Sequence, residues 1–511
     1  VPRELSKYSP RQFLVLCWRA YNAYIRGEKP TVCEHEWMGA LVCSLAKKLA
    51  ALLVTDSRPL AMICSKFSLY LTIMDERLDH ATEDYSLLDD AQEAFRKGRS
   101  TKRQLAKLHS ILHHQRKLKC GLSVILYLDI KNAFNAVNHR AMFSILEACG
   151  FPEADVDLFR RMYAGSFLVM ANKFGTSAAC VLSRGVMQGA QPSPKSYITV
   201  INPVHVLIRF LNRNRTAADN LELSGSTGFA DDTTLKTDGP DAVPAMCAQV
   251  QQVGSYLEWT GQSVQTNKSK VAGVDHSTGQ PIATDSITLN GKPFAELRPD
   301  EAHKHLGVRM TMLGDLTAEK EHIRQDMAQK CKALKEDRVL SRLEKEQIIV
   351  TGICSIFRYS AFIVDWSASE LDKITQSWIA AHKHAWSLPP GSDGSPMLLD
   401  KKDGGRGCPS AADLCTAEVL DMLEQCLGLP GEISKFIKQY LYIQCTNNGC
   451  RALNQLQKLI SITGTAESPI ELFLQRLAAQ GLEISSPWVD NLEGEQLILE
   501  AVWQDVHKAW T

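Results

Sequence analysis

The chain carries no net charge: its 57 Lys and Arg are matched by 57 Asp and Glu. A protein that grips nucleic acid is often basic overall, so any such surface here must come from local segregation of charge. Long apolar runs are also missing. Nothing approaches the ~18 residues that cross a bilayer, and the opening VPRELSKYSPRQ lacks the apolar stretch of a secretion signal. No membrane partner is expected. The fifteen Cys have no His or Cys companions at zinc spacing, as the isolated pairs Cys33/Cys43 and Cys445/Cys450 illustrate. Free thiols in a reducing, intracellular compartment (nucleus and cytoplasm) are the expectation. Internal repeats and low-complexity tracts are absent. What remains is an ordinary globular composition, 45% apolar and 22% charged, and 511 residues are enough for more than one core.

Hydrophobic patterning divides the chain. Residues 1–57 read as helical, with LSKYSPRQFLVLCWRAYNAYI and ALVCSLAKKLAALL carrying apolar residues at helical spacing. Residues 58–120 are also mostly helical and end in a basic stretch. From 121 to about 313 short apolar strands alternate with helical segments and Gly- or Pro-rich turns, which predicts an α+β unit with a mixed sheet covered by helices. Residues 314–387 return to helical spacing, with Ile323, Met327, Cys331 and Leu334 on one stripe. The segment 388–410, rich in Pro, Gly and Asp, predicts a linker loop. Residues 411–511 read as a helical C-terminal region.

The acidic residues carry the chemistry. In GSTGFADDTTLKT, Asp231 and Asp232 interrupt a strand-like run. Adjacent anions in a tight turn repel one another and resist desolvation, and a divalent cation relieves both costs. Asp is also common in plain hairpin turns. VILYLD is an apolar run ending on Asp129, where a carboxylate can project into a cleft or simply cap a turn. Together the two segments predict three aspartates around metal ions, the equipment of phosphoryl or nucleotidyl transfer. Between them lies RGVMQGAQPSP, a Gly- and Pro-punctuated turn before an apolar helix. There Gly189 would let backbone approach a ligand closely, and Gln188 could hydrogen-bond a base or sugar edge.

The order of these motifs resembles the reverse transcriptase domain of non-LTR (LINE-type) retrotransposons. LDIKNAFNAVNH looks like that family's first palm motif, and RGVMQGAQPSP is similar to its Gly-Val-Pro-Gln-Gly-x-Pro-x-Ser-Pro motif. FADD resembles its catalytic turn, and YLEWTGQSVQTNKSKV the motif that contains the family lysine, here Lys268. HKHLGVRM resembles the primer-grip hairpin, SRPLAM the Arg-Pro-Ile segment of the fingers, AQEAFRKGRST a further upstream motif, and DGGRGCPS the Gly-Gly-Leu-Gly segment after the thumb. Asn135, Met187, Ala190-Gln191 and Gln265 depart from the usual family residues, and none of them is a predicted metal ligand.

The resemblance implies a right-hand polymerase: fingers over 58–120, a palm with a mixed or antiparallel sheet over 121–313, a helical thumb over 314–387, and helical N- and C-terminal regions. It implies RNA-directed DNA synthesis on an RNA template, extending a DNA primer with dNTPs. Asp129, Asp231 and Asp232, with the carbonyl of Ile130, would hold two Mg²⁺ ions, with Mn²⁺ as a substitute. Phe134 would be the aromatic gate against a ribose 2′-hydroxyl. Arg58 would contact the triphosphate as a fixed charge, joined by Lys48. Lys268 would contact phosphate or protonate the leaving pyrophosphate. Leu306 and Gly307 would belong to the primer grip.

Residues 96–119 hold nine Lys or Arg, three His and no acid. Leu105, Leu108, Ile111 and Leu112 supply one apolar helix face. The remaining faces, with Arg96, Lys97, Arg99, Lys102, Arg103 and Lys107, are expected to form a phosphate track for template or primer. Too few residues precede Asp129 to include the family's endonuclease as well as the fingers, so the resemblance implies an endonuclease domain missing from this chain. No Cys-Cys-His-Cys knuckle and no ribonuclease H carboxylate set is visible. Arg298-Pro299-Asp300 is read as a turn. Two alternatives stand beside this reading. A viral-type RNA-dependent RNA polymerase would carry Gly-Asp-Asp and no aromatic gate. A catalytically degenerate, domesticated RNA-binding element would not need the three aspartates.

Overall fold

The computed structural model describes residues 39–46 and 57–481, apart from 120, 173–174, 216–220, 430, 451–452, 465–468 and 480, together with Arg19 and Ala23. Lys48, the helical pattern predicted before Gly39 and the chain after 481 lie outside the described residues.

The run LSVILYL forms the strand Leu122–Leu128. Successive side chains alternate across a strand, so Val124, Leu126 and Leu128 enter one core and Ile125 another. Covering both faces explains why the sequence shows a near-continuous apolar run instead of alternation. Asp232–Asp238 and Lys270–Asp275 flank this strand, both antiparallel, with Leu126 opposite Leu235 on one side and Val271 on the other. The sheet extends to Gly225–Phe229 at one edge and Gln280–Pro281 at the other, and Ala295–Glu296 adds a short parallel pairing to Lys270–Asp275.

One face of this sheet is covered by the helices Pro192–Asn212 and Ala242–Trp259. Tyr197, Val200, Ile201, Val204, Met246 and Val253 share the core of Val124. Full burial of an aliphatic side chain contributes about 1.5–3 kcal/mol, so this layer anchors the sheet firmly. The other face takes the Thr101–Leu118 helix through Leu105, Leu108 and Leu112, and behind it the helices that follow Thr317.

A second sheet has the order Ser57–Ile63, Gly39–Ala46, Phe167–Asn172, Gly175–Thr176. Here the helical reading of ALVCSLA, the described part of that segment, is corrected. Gly39–Ala46 is a strand, antiparallel to Ser57–Ile63 and parallel to Phe167–Asn172. Ala40 and Val42 are buried while Leu41 is exposed, a period of two that the longer apolar run conceals.

The C-terminal half is helical. Ser341 and Ser367 form capping boxes with Glu344 and Glu370 at the starts of Arg342–Ile348 and Ala368–Ala385. Phe357 packs against Trp366 and Trp378 with ring centroids 5.5 and 5.6 Å apart. The stretch 388–410 is no free linker. It forms the short helix Ser395–Leu398 and a turn at Lys401–Asp403, and it buries Met397 and Cys408. The Cys408 amide donates to the Met397 carbonyl at 2.8 Å. A Cβ on Gly405 would lie 2.0 Å from the Leu399 carbonyl oxygen, so here glycine serves close packing. Ala411–Gly428 and Glu432–Asn447 then pack back on the Thr101–Leu118 helix, where Tyr440 Oη lies 2.8 Å from His113 Nδ1. Arg298 pairs with Asp300 at 2.7 Å in an exposed turn. Among the described residues no helix is long and apolar enough to cross a membrane.

Candidate active site

Asp129 leaves the central strand one step beyond its last pair, Leu128 opposite Thr233. That register brings Asp129 beside Asp232. The loop Ser263–Ser269 straps Asp129 from below. Its backbone N–H donates to Ser269 Oγ at 2.9 Å, its carbonyl accepts from the Gln265 amide at 2.9 Å, and its Oδ1 accepts from Gln265 Nε2 at 2.5 Å. Ile130 follows in a bridge to Val264.

Phe229 pairs with Asp232 across a two-residue turn made of Ala230 and Asp231. Ala230 has φ +59°, the left-handed geometry that suits the twist of a tight hairpin and costs an L-residue roughly 1–2 kcal/mol. This turn and the end of the central strand meet in one cavity of about 330 Å³. Asp129, Ile130, Asp231, Asp232, Lys268, Leu306 and Gly307 all line it. Seven predicted site residues from four separated motifs are thus brought together.

The wall opposite the aspartates was not assigned from sequence. Tyr127, His303, Lys304 and His305 complete the cavity. Tyr127 sits two residues before Asp129 and so on the same face of the strand. Its ring lies 4.4 Å from that of His303 and 5.2 Å from that of His305. Burial pushes the His305 imidazole down to about 3 and lowers that of His303, so both are neutral at neutral pH. The period-two spacing of Tyr127 and Asp129 was the available signal for Tyr127. Lys304 is exposed.

Asp232 carries the electrostatic imprint of its two acidic neighbours. The Asp232 carboxyl is pushed up to about 6, first by lost hydration at the cavity wall and then by the charges of Asp231 and Asp129. It rises although its side chain keeps an exposed side. The buried Tyr197 phenol is also raised, by desolvation and then by the charge of Asp231. Three carboxylates lining one cavity are a hard-oxygen donor set, the chemistry that suits a divalent cation. Among the described residues no three His, Cys, Asp or Glu side chains are grouped closely enough to hold a metal ion by themselves. The three aspartates line one open cavity.

The remaining predicted residues stand outside the cavity wall. Phe134 is half-buried and stacks on Tyr197 with centroids 4.2 Å apart at 17°. Gln188 donates through Nε2 to Asn135 Oδ1 at 3.1 Å, and its carbonyl accepts from the Ala61 amide at 2.7 Å. Gly189 has φ +116°, and a Cβ there would lie 2.5 Å from the Ala61 carbonyl oxygen. The close approach inferred for Gly189 is therefore to the Ser57–Ile63 strand. Arg58 belongs to that strand, opposite Leu45.

The expected phosphate track on residues 96–119 is corrected. Arg96 is buried, and its guanidinium forks onto Glu83 at 3.0 Å. Arg99 bridges Asp90 at 2.7 Å and Glu93 at 3.1 Å. Lys102 meets Glu418 and Asp421, whose carboxylates outweigh its desolvation and raise its pKa. Arg103 is fully buried with Nε 2.9 Å from Glu93 Oε2, and it donates to the Gln425 carbonyl. Lys107 is buried with Nζ 5.8 Å from the centroid of the Phe436 ring. Only Lys97 of the six is exposed. The stretch holds no acid of its own, but Glu83, Asp90 and Glu93 lie just upstream and Glu418 and Asp421 arrive from the C-terminal helices.

Comparison with known proteins fits this geometry. Residues 46–309, just over half of the chain, match the family model described as reverse transcriptase (RNA-dependent DNA polymerase). The chain is similar to the transposon TX1 uncharacterized 149 kDa protein of Xenopus laevis, 25% identical over 188 residues, covering 37% of this chain and 14% of that protein. It is also similar to the retrovirus-related Pol polyprotein from type-2 retrotransposable element R2DM of Drosophila melanogaster, 24% identical over 196 residues, covering 37% of this chain and 18% of that protein. The matches span less than a fifth of either relative. Among solved structures, telomerase from Candida albicans in complex with the TWJ fragment of telomeric RNA is 9% identical with a TM-score of 0.45, covering 88% of this chain and 68% of that one. The family match spans the aspartate strand, the Asp231–Asp232 turn and the Leu306–Gly307 hairpin that share the cavity, and the chain belongs to the reverse transcriptase (RNA-dependent DNA polymerase) family.

Proposed function

We propose that this chain is an RNA-directed DNA polymerase of a non-LTR retrotransposon, extending a DNA primer on an RNA template with dNTPs. The observation that carries the reading is the single cavity shared by Asp129, Asp231, Asp232, Lys268 and the Leu306–Gly307 hairpin. The carboxylates of Asp129, Asp231 and Asp232 and the carbonyl of Ile130 would hold two divalent cations, Mg²⁺ or Mn²⁺. When bound, such ions acidify the primer 3′-hydroxyl and neutralise charge on the triphosphate and leaving pyrophosphate.

The protein's own contributions are positional. Gln265 and Ser269 fix the orientation of Asp129. Lys268 and Lys304 bring positive charge to the cavity wall, where Lys268 would meet the phosphates and protonate the leaving group. Leu306 and Gly307 would set the primer terminus against the aspartates. Phe134, braced on Tyr197, would exclude a 2′-hydroxyl. Arg58 and Lys48 would meet the triphosphate, and Gln188 and Gly189 would border the nucleotide. With most of the 96–107 cations neutralised internally, the nucleic-acid backbone would be met by exposed lysines such as Lys97, Lys131 and Lys304. An endonuclease domain would act beside this chain in the complete element.

The test is dNTP incorporation on poly(rA)/oligo(dT) by wild type and Asp231→Ala. Metal-dependent synthesis lost in the variant supports the reading. Equal signals from the two proteins overturn it.

A further inference from the structure

We infer that Gln92 is a positioning residue that holds the Ala230–Asp231 turn in its left-handed shape and so aims Asp231 and Asp232 into the cavity. The inference rests on the polymerase reading for its consequence, but its geometry stands apart from it. Gln92 is wholly buried and does not line the cavity, so any effect on the aspartates passes through the groups it holds, the turn among them.

The segment Ala91–Ala94 closes the outer edge of the Gly225–Phe229 strand. The Gly228 amide donates to the Ala91 carbonyl at 2.8 Å, and the Glu93 amide donates to the Gly228 carbonyl at 3.0 Å, around a parallel bridge between Gln92 and Gly228. This approach needs a glycine, because a Cβ on Gly228 would sit 2.4 Å from His205 Nε2 and 3.1 Å from Gln92 Nε2. From that edge Gln92 reaches both backbone polar groups of one residue, Ala230. Its Oε1 accepts from the Ala230 amide at 2.9 Å and from the Ala94 amide at 3.1 Å. Its Nε2 reaches the Ala230 carbonyl at 3.4 Å. Gln104 braces the same edge by donating to the carbonyls of Ala91, at 2.9 Å, and Gly228.

Ala230 needs such a clamp for two reasons. Its φ of +59° is disfavoured for an L-residue. It is also buried, and a two-residue turn takes its polar groups out of the strand ladder, so losing Gln92 would leave them unsatisfied. The residue that pins the turn therefore comes from the AQEAFRKGRST stretch, far from the aspartates in sequence.

The experiment compares wild type, Gln92→Met and Gln92→Glu. Hydrogen exchange is followed on the peptide spanning the turn, and single-turnover dNTP incorporation is measured in parallel. Gln92→Met removes both polar ends and is expected to speed exchange at the turn about tenfold and to lower the incorporation rate by a similar factor, one hydrogen bond's worth. The KM for dNTP is expected to hold within about twofold, since Gln92 binds no substrate. Gln92→Glu keeps the acceptor for the Ala230 amide and is expected to restore most of the protection and the rate. If Gln92→Met does not fold, Gln92→Asn, one methylene too short to reach, replaces it. Unchanged exchange and rate overturn the inference. So does exchange that quickens evenly across the whole sheet, which would mean a merely structural role. Should wild type synthesise nothing, the polymerase reading fails, and the exchange arm still decides the clamp.

Discussion

Replacing Arg103 with Met separates a structural cation from a nucleic-acid contact. The guanidinium is wholly buried, 2.9 Å from Glu93 Oε2, and Glu93 has no exposed side chain either. Removing one partner of a buried pair costs about 3–5 kcal/mol because the other charge is left uncompensated. Here Arg99 remains 3.1 Å from Glu93, which places the expected loss near the lower end, about 3 kcal/mol. The double variant Arg103→Met/Glu93→Gln removes both charges and is expected to recover part of that loss. Urea unfolding reads the stability, and fluorescence anisotropy of a labelled RNA–DNA duplex at several salt concentrations reads the binding. The structure predicts a large drop in stability with an unchanged salt slope. A stability within about 0.5 kcal/mol of wild type, together with a salt slope reduced by about 0.9, would refute the internal ion pair and restore Arg103 to a phosphate track.

Phe134→Ala is expected to relax the preference for dNTP over NTP by at least about tenfold, read as the ratio of kcat/KM values, and an unchanged ratio would leave the ring a packing residue on Tyr197. Gly189→Ala puts a Cβ 2.5 Å from the Ala61 carbonyl oxygen at a φ of +116° and is expected to cost about 1–3 kcal/mol, so a wild-type Tm would show that the Gly189 turn and the Ser57–Ile63 strand can part freely. In chelator, Asp232→Asn is expected to raise Tm at pH 7.5 and leave it unchanged at pH 3.5. The folded carboxyl binds its proton up to about pH 6, whereas the unfolded one releases it near pH 4, so this group's contribution falls as pH rises through that window. Its partial exposure limits the gain to about 1 °C, and a gain that is larger at pH 3.5 would contradict the assignment.

The parts of the site that were legible in the sequence are those whose chemistry is local. VILYLD announces a buried strand ending on a carboxylate, and FADD compresses two anions into a turn whose position between two strands can be read from Thr and Phe spacing. The order of the motifs supplied their convergence, which no single motif contains. What stayed hidden depends on distant partners. Arg103 and Lys102 read as surface charge because the Gln425 carbonyl that Arg103 meets and the Glu418 counterion of Lys102 lie more than three hundred residues away, and the Glu93 carboxylate that pairs with Arg103 lies outside its helix. Gly39–Ala46 read as a helix because Ala and Leu favour one, and pairing with Ser57–Ile63 and Phe167–Asn172 makes it a strand. Gly189 was read as letting backbone approach a ligand, and the neighbour that its missing Cβ admits in the fold is the Ala61 carbonyl. The wall made by Tyr127, His303 and His305 depends on a hairpin folding over the central strand, a contact between segments about 175 residues apart that local patterning cannot express.

The central claim is that Asp129 and Asp231 act as one metal-dependent unit for DNA synthesis on RNA. Single-turnover addition of one dNTP to a primer on an RNA template, with Mg²⁺, should be measured for wild type, Asp129→Asn, Asp231→Asn and the double variant. Each single variant is expected to lose at least about a thousandfold in rate and the double variant little more, as for groups that work together. Either single variant turning over at the wild-type rate would contradict that claim, and so would losses that multiply in the double variant.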